Sequence, residues 1–563
     1  MLRGAFVGGL VVVATACGEG PPPVAPTRVD VASLWELAPH DASSGVVLAE
    51  GAPAKLLALI ALLDDGPARK KIDEAAKKRG VTPLPTAEGW ARSGLDPSMG
   101  AAIFAWTDRE RGALLVLPVR DRAAFRRAFE ATTAVELGRD FDLLPWGDYR
   151  CAEIARRYVC AKRASDVVAA GVRHGSPLVD AWKKLPDDDR GDVEAYADVH
   201  QRDVAKLAEG ARPLGRVTGV AGSIRLRVDG ASARVHVVAD ELTPLAYAFR
   251  GTAPPPAYRV AASNAPSAVH LAIDPLHAFD DDHEMETETR SELVERLTGE
   301  IDMTTSGHGL AGLYGVAPVR TPERVEAYVK KVCAEQGGSK RSYALRDITV
   351  TPHGCSARFD PHMLLLPVSM SPLPLAASVD GPRVVFTVGD ATPTDAHAAV
   401  HVEALPPPGT DAARELARPQ AAVLFTRSPW IGPDVGAGAA FKSLVSLLDE
   451  KSTSGIDAFG DLGARIAQAL VAARVEDDGV VVVADIVTYA HDPGPASAAY
   501  DAALARRSAG EIPAYRAALA DVERAYPGTL AAQRARDLRE QGPWLGAGAW
   551  FFASLGGAAP EEK

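Results

Sequence analysis

The residues able to do chemistry are few, and their spacing is wrong for the common chemistries. Gly436–Ser443 reads GAGAAFKS between an apolar stretch and a helical one, where a phosphate-binding loop would sit. That loop needs Gly directly before Lys so that backbone amides can curl around phosphates, and Phe441 stands there instead. The same Phe spoils a dinucleotide fingerprint. His277–Glu288, HAFDDDHEMETE, gathers two histidines and six carboxylates. Its spacing fits neither a zinc site nor a calcium loop, so it reads as a solvated loop. Pro186–Asp192, PDDDRGD, also lacks calcium-loop spacing, and its Arg190-Gly191-Asp192 reads as a loop coincidence and not as an adhesion site. There is no Gly-x-Ser-x-Gly elbow and no His-Glu-x-x-His helix. Ser, His and Asp are plentiful enough for a triad of distant residues, but nothing picks one out. No catalytic, cofactor-binding or metal-binding residue is assigned.

Cysteine carries more information. Of five cysteines, one ends the N-terminal apolar run, leaving Cys151, Cys160, Cys333 and Cys355. Four cysteines allow three pairings. YRCAEIARRYVCAK reads as a hairpin turning at Ala155-Arg156, which sets Cys151 opposite Cys160. Cys333 ends the helical pattern RVEAYVKKVC and Cys355 sits in the next strand-like stretch, so Cys333–Cys355 closes a modest loop. Free buried thiols are the alternative. No Cys-x-x-Cys pair invites a metal.

The elements that must place these residues begin with an address. Arg3 precedes a twelve-residue apolar run, Ala5 to Ala16, too short to cross about 30 Å of hydrocarbon as a helix. The run reads as a signal peptide over 1–16. It ends in Ala14-Thr15-Ala16-Cys17, which resembles the lipobox of bacterial lipoproteins, with Ala14 where that family usually has Leu or Val. The resemblance implies that Cys17 is diacylated and becomes the new N-terminus. It also implies the outer membrane, because Gly18 and not Asp follows the cysteine. Residues 17–30 are Pro-rich and read as a tether.

The body reads as a diverged duplication. Leu117-Pro118-Val119-Arg120 before a helical stretch matches Ala317-Pro318-Val319-Arg320 before another. In the same order, Gly45 onward parallels Ala268 onward, and Arg157-Tyr158-Val159 parallels Arg383-Val384-Val385. The stretch around Tyr196 parallels that around Leu424, and the hairpin turning at Asp229-Gly230 parallels that at Asp478-Gly479. Cys151 and Cys355 also fall in matching stretches. Alternation at Ile224, Leu226 and Val228 predicts antiparallel strands. Stripes at Leu56, Leu59, Ile60, Leu62 and Leu63, and at Phe441, Leu444, Leu447 and Leu448, predict helices on one face. The expected fold is α+β. It comprises unit 1 over 31–265 and unit 2 over 266–490, each an antiparallel sheet covered by helices, then an all-helical C-terminal segment over 491–563. Leu37-Ala38-Pro39-His40-Asp41 resembles the phrase that opens the repeats of duplicated bacterial envelope proteins, a likeness that implies no activity. ALADVERAYPGTLAAQRARDL resembles one tetratricopeptide-like hairpin, broken at Tyr526-Pro527-Gly528. One such hairpin is expected to need a neighbour to bury its face. The tail adds Trp544, Leu545, Trp550, Phe551 and Phe552, which either pack back on the body or meet a partner or the membrane surface.

Lys+Arg number 61 against 73 Asp+Glu, a net charge of −12, which argues against a nucleic-acid partner because phosphates demand a basic face. With 47% hydrophobic and 24% charged residues, the 563-residue chain has the balance of a soluble globular protein. The reading is a non-enzymatic, lipid-anchored envelope protein that binds or scaffolds another component. The membrane is one partner, through the anchor, and an envelope protein at the C-terminal helices is the other. A carrier enclosing an apolar ligand and a hydrolase with an unrecognised site stand as alternatives.

Overall fold

The structure, a computed structural model, describes residues 28–61, 86–108, 110–145, 148–170, 172, 176–184, 190–200, 205, 215–227, 230–249, 267–274, 296, 298–305, 312–338, 345–359, 373–389, 411–427, 466–488, 494–508, 511–527, 529, 531–532, 535–536 and 539. The chain forms two compact units. The first takes 1–241, 452–466 and 477–491, and the second takes 242–451, 467–476 and 492–563.

The first unit opens with helix α1 (Arg28–Trp35), strand β1 (Ser44–Leu48), α2 (Ala52–Ala61) and α3 (Ala87–Arg92). Next come β2 (Ala101–Ala105), β3 (Ala113–Leu117) and α4 (Arg122–Ala128). A meander follows: β4 (Thr132–Glu136), β5 (Arg139–Leu144), β6 (Tyr149–Ile154) and β7 (Arg157–Ala161). The unit continues through α5 (Ala164–Ala169), α6 (Pro177–Lys184), β8 (Val193–Asp198), β9 (Gly215–Arg227) and β10 (Gly230–Leu242). Hydrogen bonding sets nine of these strands in the order β9-β8-β1-β2-β3-β7-β6-β5-β4, with β10 beside β9.

The second unit contains α7 (Pro244–Ala248), β11 (Ser267–Ala272), β12 (Glu300–Thr305), β13 (Gly312–Pro318) and α8 (Pro322–Gly338). Then come β14 (Leu345–Thr351), β15 (Gly354–Phe359), β16 (Leu373–Asp380), β17 (Arg383–Gly389), α9 (Asp411–Leu416), β18 (Ala422–Arg427) and β19 (Ile466–Glu476). Its strand order is β19-β18-β11-β12-β13-β17-β16-β15-β14. Rank for rank, this is the nine-strand order of the first unit. Pro118 directly follows β3 and Pro318 ends β13, strands of the same rank. Cys151 and Cys355 do not correspond: Cys151 lies in β6, whose counterpart is β16, whereas Cys355 lies in β15.

The expected α+β architecture is corrected. Instead of two sheets each covered by helices, the described strands form a 20-stranded antiparallel sheet. The last strand, β20 (Gly479–Thr488), was expected in the second unit but belongs to the first, where it pairs with β10 from Gly230↔Val487 to Val238↔Gly479. The physical cause is the unpaired edge. A long strand offers a row of N–H and C=O groups that folding must satisfy, and laying β20 along β10 satisfies both rows at once. Helices are minor by comparison: among those described only α8, α10 (Gly494–Ser508) and α11 (Ile512–Ala525) exceed ten residues.

Nor does the C-terminus form an all-helical segment over 491–563. Its described residues are α10, α11 and a short stretch beyond, all within the second unit. Ala496, Tyr500, Ala503, Tyr515, Leu519, Val522, Ala531 and Ala535 make one apolar cluster drawn wholly from this stretch. The hairpin of α11 and the stretch beyond it thus buries its apolar face against the neighbouring α10, through Ala496, Tyr500 and Ala503, as expected of a single hairpin. Trp544, Leu545, Trp550, Phe551 and Phe552 lie outside the described residues, as do Phe441, Leu444, Leu447 and Leu448.

The main core of the first unit gathers Leu34, Trp35, Val47, Phe104, Leu114, Val116, Phe141, Val159 and Leu178. Gly45 in β1 permits this packing. A Cβ there would lie 2.7 Å from the Trp35 ring and 2.8 Å from Phe104, closer than real contacts allow.

Candidate functional site

The cysteines come together as pairs. Cys151 is bonded to Cys160 with Cα atoms 4.0 Å apart, and the two face each other directly across β6 and β7. The turn between these strands falls at Ala155-Arg156, both with positive φ (49° and 64°), as a tight two-residue hairpin turn requires. Cys333 is bonded to Cys355, Cα atoms 6.3 Å apart, which staples α8 to β15. Cys17 lies outside the described residues, as do His277–Glu288 and Gly436–Ser443. Among the described residues, no three His, Cys, Asp or Glu side chains gather where they could hold a metal ion.

Charged side chains of the first unit collect in three knots. In the first, the Arg111 guanidinium donates twice to Asp166, at 3.0 and 2.7 Å, and also to Asp41. Trp106 Nε1 donates to Asp41 at 2.8 Å, and the guanidinium lies 4.0 Å from the centroid of the Trp106 ring. Burial pushes the Asp41 carboxyl up, but the hydrogen bonds from Arg111 and Trp106 outweigh it and hold the group below its ordinary value. The Asp166 hydrogen bonds, followed by those of Asp41, push Arg111 up against burial. Asp41, the last residue of the phrase read from the sequence, thus joins the segment before β1 to the residues that follow β2.

The second knot centres on Asp142, which is fully buried. Arg122 Nε reaches it at 2.7 Å, Arg126 Nε at 3.2 Å, and the Tyr158 hydroxyl donates at 2.5 Å. Burial first, and the Asp142 hydrogen bond second, push the Tyr158 phenol well above its ordinary range. Phe125, Leu144, Tyr158 and the Cys151–Cys160 bridge pack around it.

Glu194 in β8 holds the third. Its Oε2 accepts from Trp35 Nε1 at 3.3 Å and from Trp182 Nε1, and its Oε1 accepts from the Gly191 amide at 3.3 Å. The two indoles stack with centroids 5.9 Å apart, and Arg190 lies 4.1 Å from the centroid of the Trp182 ring. Two residues beyond Arg190, Asp192 is buried, bonded to Lys55 Nζ at 2.6 Å, and accepts from the Leu226 amide at 2.6 Å. An adhesion tripeptide must present its cation and carboxylate to a partner. Here Arg190 is spent on Trp182 and Glu194, and Asp192 on Lys55.

In the second unit His270 and Asp302 face each other across β11 and β12, both buried, with Nδ1 to Oδ1 2.8 Å. This is the orienting half of a triad. Among the described residues no hydroxyl or thiol is hydrogen-bonded to His270, so the pair lacks a nucleophile there. Arg474, also buried, bridges Glu415 and Glu476. Sequence reasoning found none of these knots, because Glu194, Trp35 and Trp182 are scattered over 160 positions and no spacing relates them.

Among the described residues no helix is long and apolar enough to cross a membrane. No family model and no curated protein matches the chain. Among solved structures it is similar to crystal form I of TP0453, at 9% identity and a TM-score of 0.21, over 43% of this chain and 95% of that one. A likeness at that level carries no argument about function.

Proposed function

We propose that this chain is a non-enzymatic, lipid-anchored protein of the cell envelope, attached through Cys17 to the outer membrane, which binds or scaffolds another envelope component. The observation that carries the reading is the disulfide pair. Cys151–Cys160 and Cys333–Cys355 are closed bonds in the folded body, and such bonds persist in oxidising compartments outside the cytosol. The N-terminal Thr15-Ala16-Cys17 supplies the anchor on the same reading. A binding role is favoured over catalysis because the buried carboxylates Asp142, Asp166, Asp192 and Glu194 are each taken up by a cation or an indole.

On the same footing, the body is a duplication. The shared nine-strand order supports this, and so does the β10–β20 register. Gly230 and Gly479 each begin a strand, and each pairs with the residue eight positions beyond the other, so a two-fold rotation exchanges the two strands of the ladder in register.

The test is acylation. Cells fed a labelled fatty acid should transfer label to the parent chain and none to Cys17→Ala. Equal labelling of both chains overturns the anchor.

A further inference from the structure

Most apolar side chains of the first unit point inward, but one end of its meander does not follow the rule. Val135 is 71% exposed and Leu137 is 67% exposed, the largest values among the exposed large hydrophobic residues described. Leu137 also occupies the left-handed region (φ 51°), in the turn Leu137-Gly138 between β4 and β5. Asn or Gly is the usual choice there, because a branched side chain gains nothing in a turn that favours φ > 0. The neighbouring turn at the same end, Ala155-Arg156, likewise holds two L-residues with positive φ. With strands about 4.8 Å apart, the two turns sit side by side, about 10 Å between centres.

This is also the end at which the chain enters the unit. Arg157, directly after the second turn, donates to Ser33 Oγ at 3.4 Å. Ser33 is five residues, or about 7.5 Å of helix, from the start of α1 at Arg28. Only ten residues separate Arg28 from Cys17, and several are proline. In polyproline geometry they reach about 31 Å, so an anchored Cys17 holds Ser33 within about 40 Å of the lipid surface, a reach that lets this end of the unit touch it. The charges at the tip are mixed. Arg139 and Arg156 are exposed and have no ion partner among the described residues, Arg150 is paired with Glu136, and Asp140 and Glu153 are the remaining acids.

We propose that the paired turns, with Leu137 and Val135 foremost and Arg139 and Arg156 beside them, form a second contact with the membrane surface. The two apolar side chains enter the headgroup boundary and the two arginines meet lipid phosphates. The contact rests on the anchor reading for its proximity to lipid, and it orients the unit where the anchor by itself would not.

Leu137→Cys in the full chain tests it. The four body cysteines are bonded and Cys17 carries the anchor, so a thiol-reactive environment-sensitive dye attaches at 137 only. Asp148→Cys, at the opposite end of the meander, is the control. The acylated chain is placed on vesicles of seven parts phosphatidylethanolamine to three of phosphatidylglycerol. Emission at 137 should shift to the blue and be quenched more than about twofold by lipid-borne quenchers, with neither effect at 148. Emission at 137 that matches 148 overturns the proposal. A blue shift that lipid quenchers leave untouched also overturns it, and assigns the tip to a protein contact. Leu137→Asn should fold at least as stably as the parent, because Asn suits the turn. If mass spectrometry finds Cys17 unmodified, the anchor reading fails, and a chain carrying both Cys17→Ser and Leu137→Cys, labelled at 137 alone and given saturating vesicles, still decides the tip: a quenched blue shift keeps it and an unchanged spectrum removes it.

Discussion

Replacing Glu194 by Ala removes the acceptor that ties two helices to the sheet. Trp35 ends α1, Trp182 lies in α6, and Glu194 sits in β8 opposite Val47 of β1. The substitution strands three donors: both indole N–H groups and the Gly191 amide. A buried donor without a partner costs about 1–3 kcal/mol. The lost side chain leaves room for water beside the half-open Arg190, so the lower end applies and the sum is about 3 kcal/mol. That corresponds to a local opening constant raised about a hundredfold, at 1.36 kcal/mol per decade. Glu194→Gln keeps a carbonyl oxygen for the two indoles, but it turns an NH2 toward the Gly191 amide and loses the charge facing Arg190, 3.5 Å away, so it should cost about 1–2 kcal/mol, less than Ala. Native-state hydrogen exchange read by mass spectrometry on peptides covering 44–48 and 193–198 measures the opening directly, whether or not the whole chain unfolds in one step. Exchange in Glu194→Ala less than tenfold above the parent would refute the orphaned-donor argument. If the Gln variant were as damaging as Ala, charge and not acceptor capacity would be the governing quantity.

The Asp41 knot predicts an acid limb. A carboxyl held below its ordinary value of 3.8 contributes stability that is present above that value and lost as pH falls through its lowered pKa. Asp41→Asn should therefore be less stable than the parent near neutrality, and should lose less between about pH 4 and pH 2, as followed by urea midpoints. Replacing each disulfide by a serine pair should cost about 2.7 kcal/mol for Cys151–Cys160 and about 3.4 kcal/mol for Cys333–Cys355, from loops spanning 9 and 22 positions. Chemical denaturation of the two double variants ranks them, and the reverse order contradicts the loop-entropy account.

Local features of this fold were legible in one dimension. The pairing of Cys151 with Cys160 follows from hairpin arithmetic around Ala155-Arg156, and Cys333 with Cys355 from a helix followed by a strand. The end of α11 at Ala525, just before Tyr526-Pro527, follows from a residue that cannot continue a helix. In the sequence Arg190-Gly191-Asp192 is a loop coincidence, and only the fold shows what occupies its charges. Periodicity says that a stretch such as Gly479–Thr488 is a strand, and it is silent on which edge that strand completes. Backbone N–H and C=O groups are the same in every strand, so β20 could be assigned to β10 of the first unit only once the edges were in place. The knots at Asp142 and Glu194 have the same character. A carboxylate in a sequence is a solvated charge by default, and it becomes a buried acceptor only where folding brings an indole or a guanidinium within about 3 Å of it.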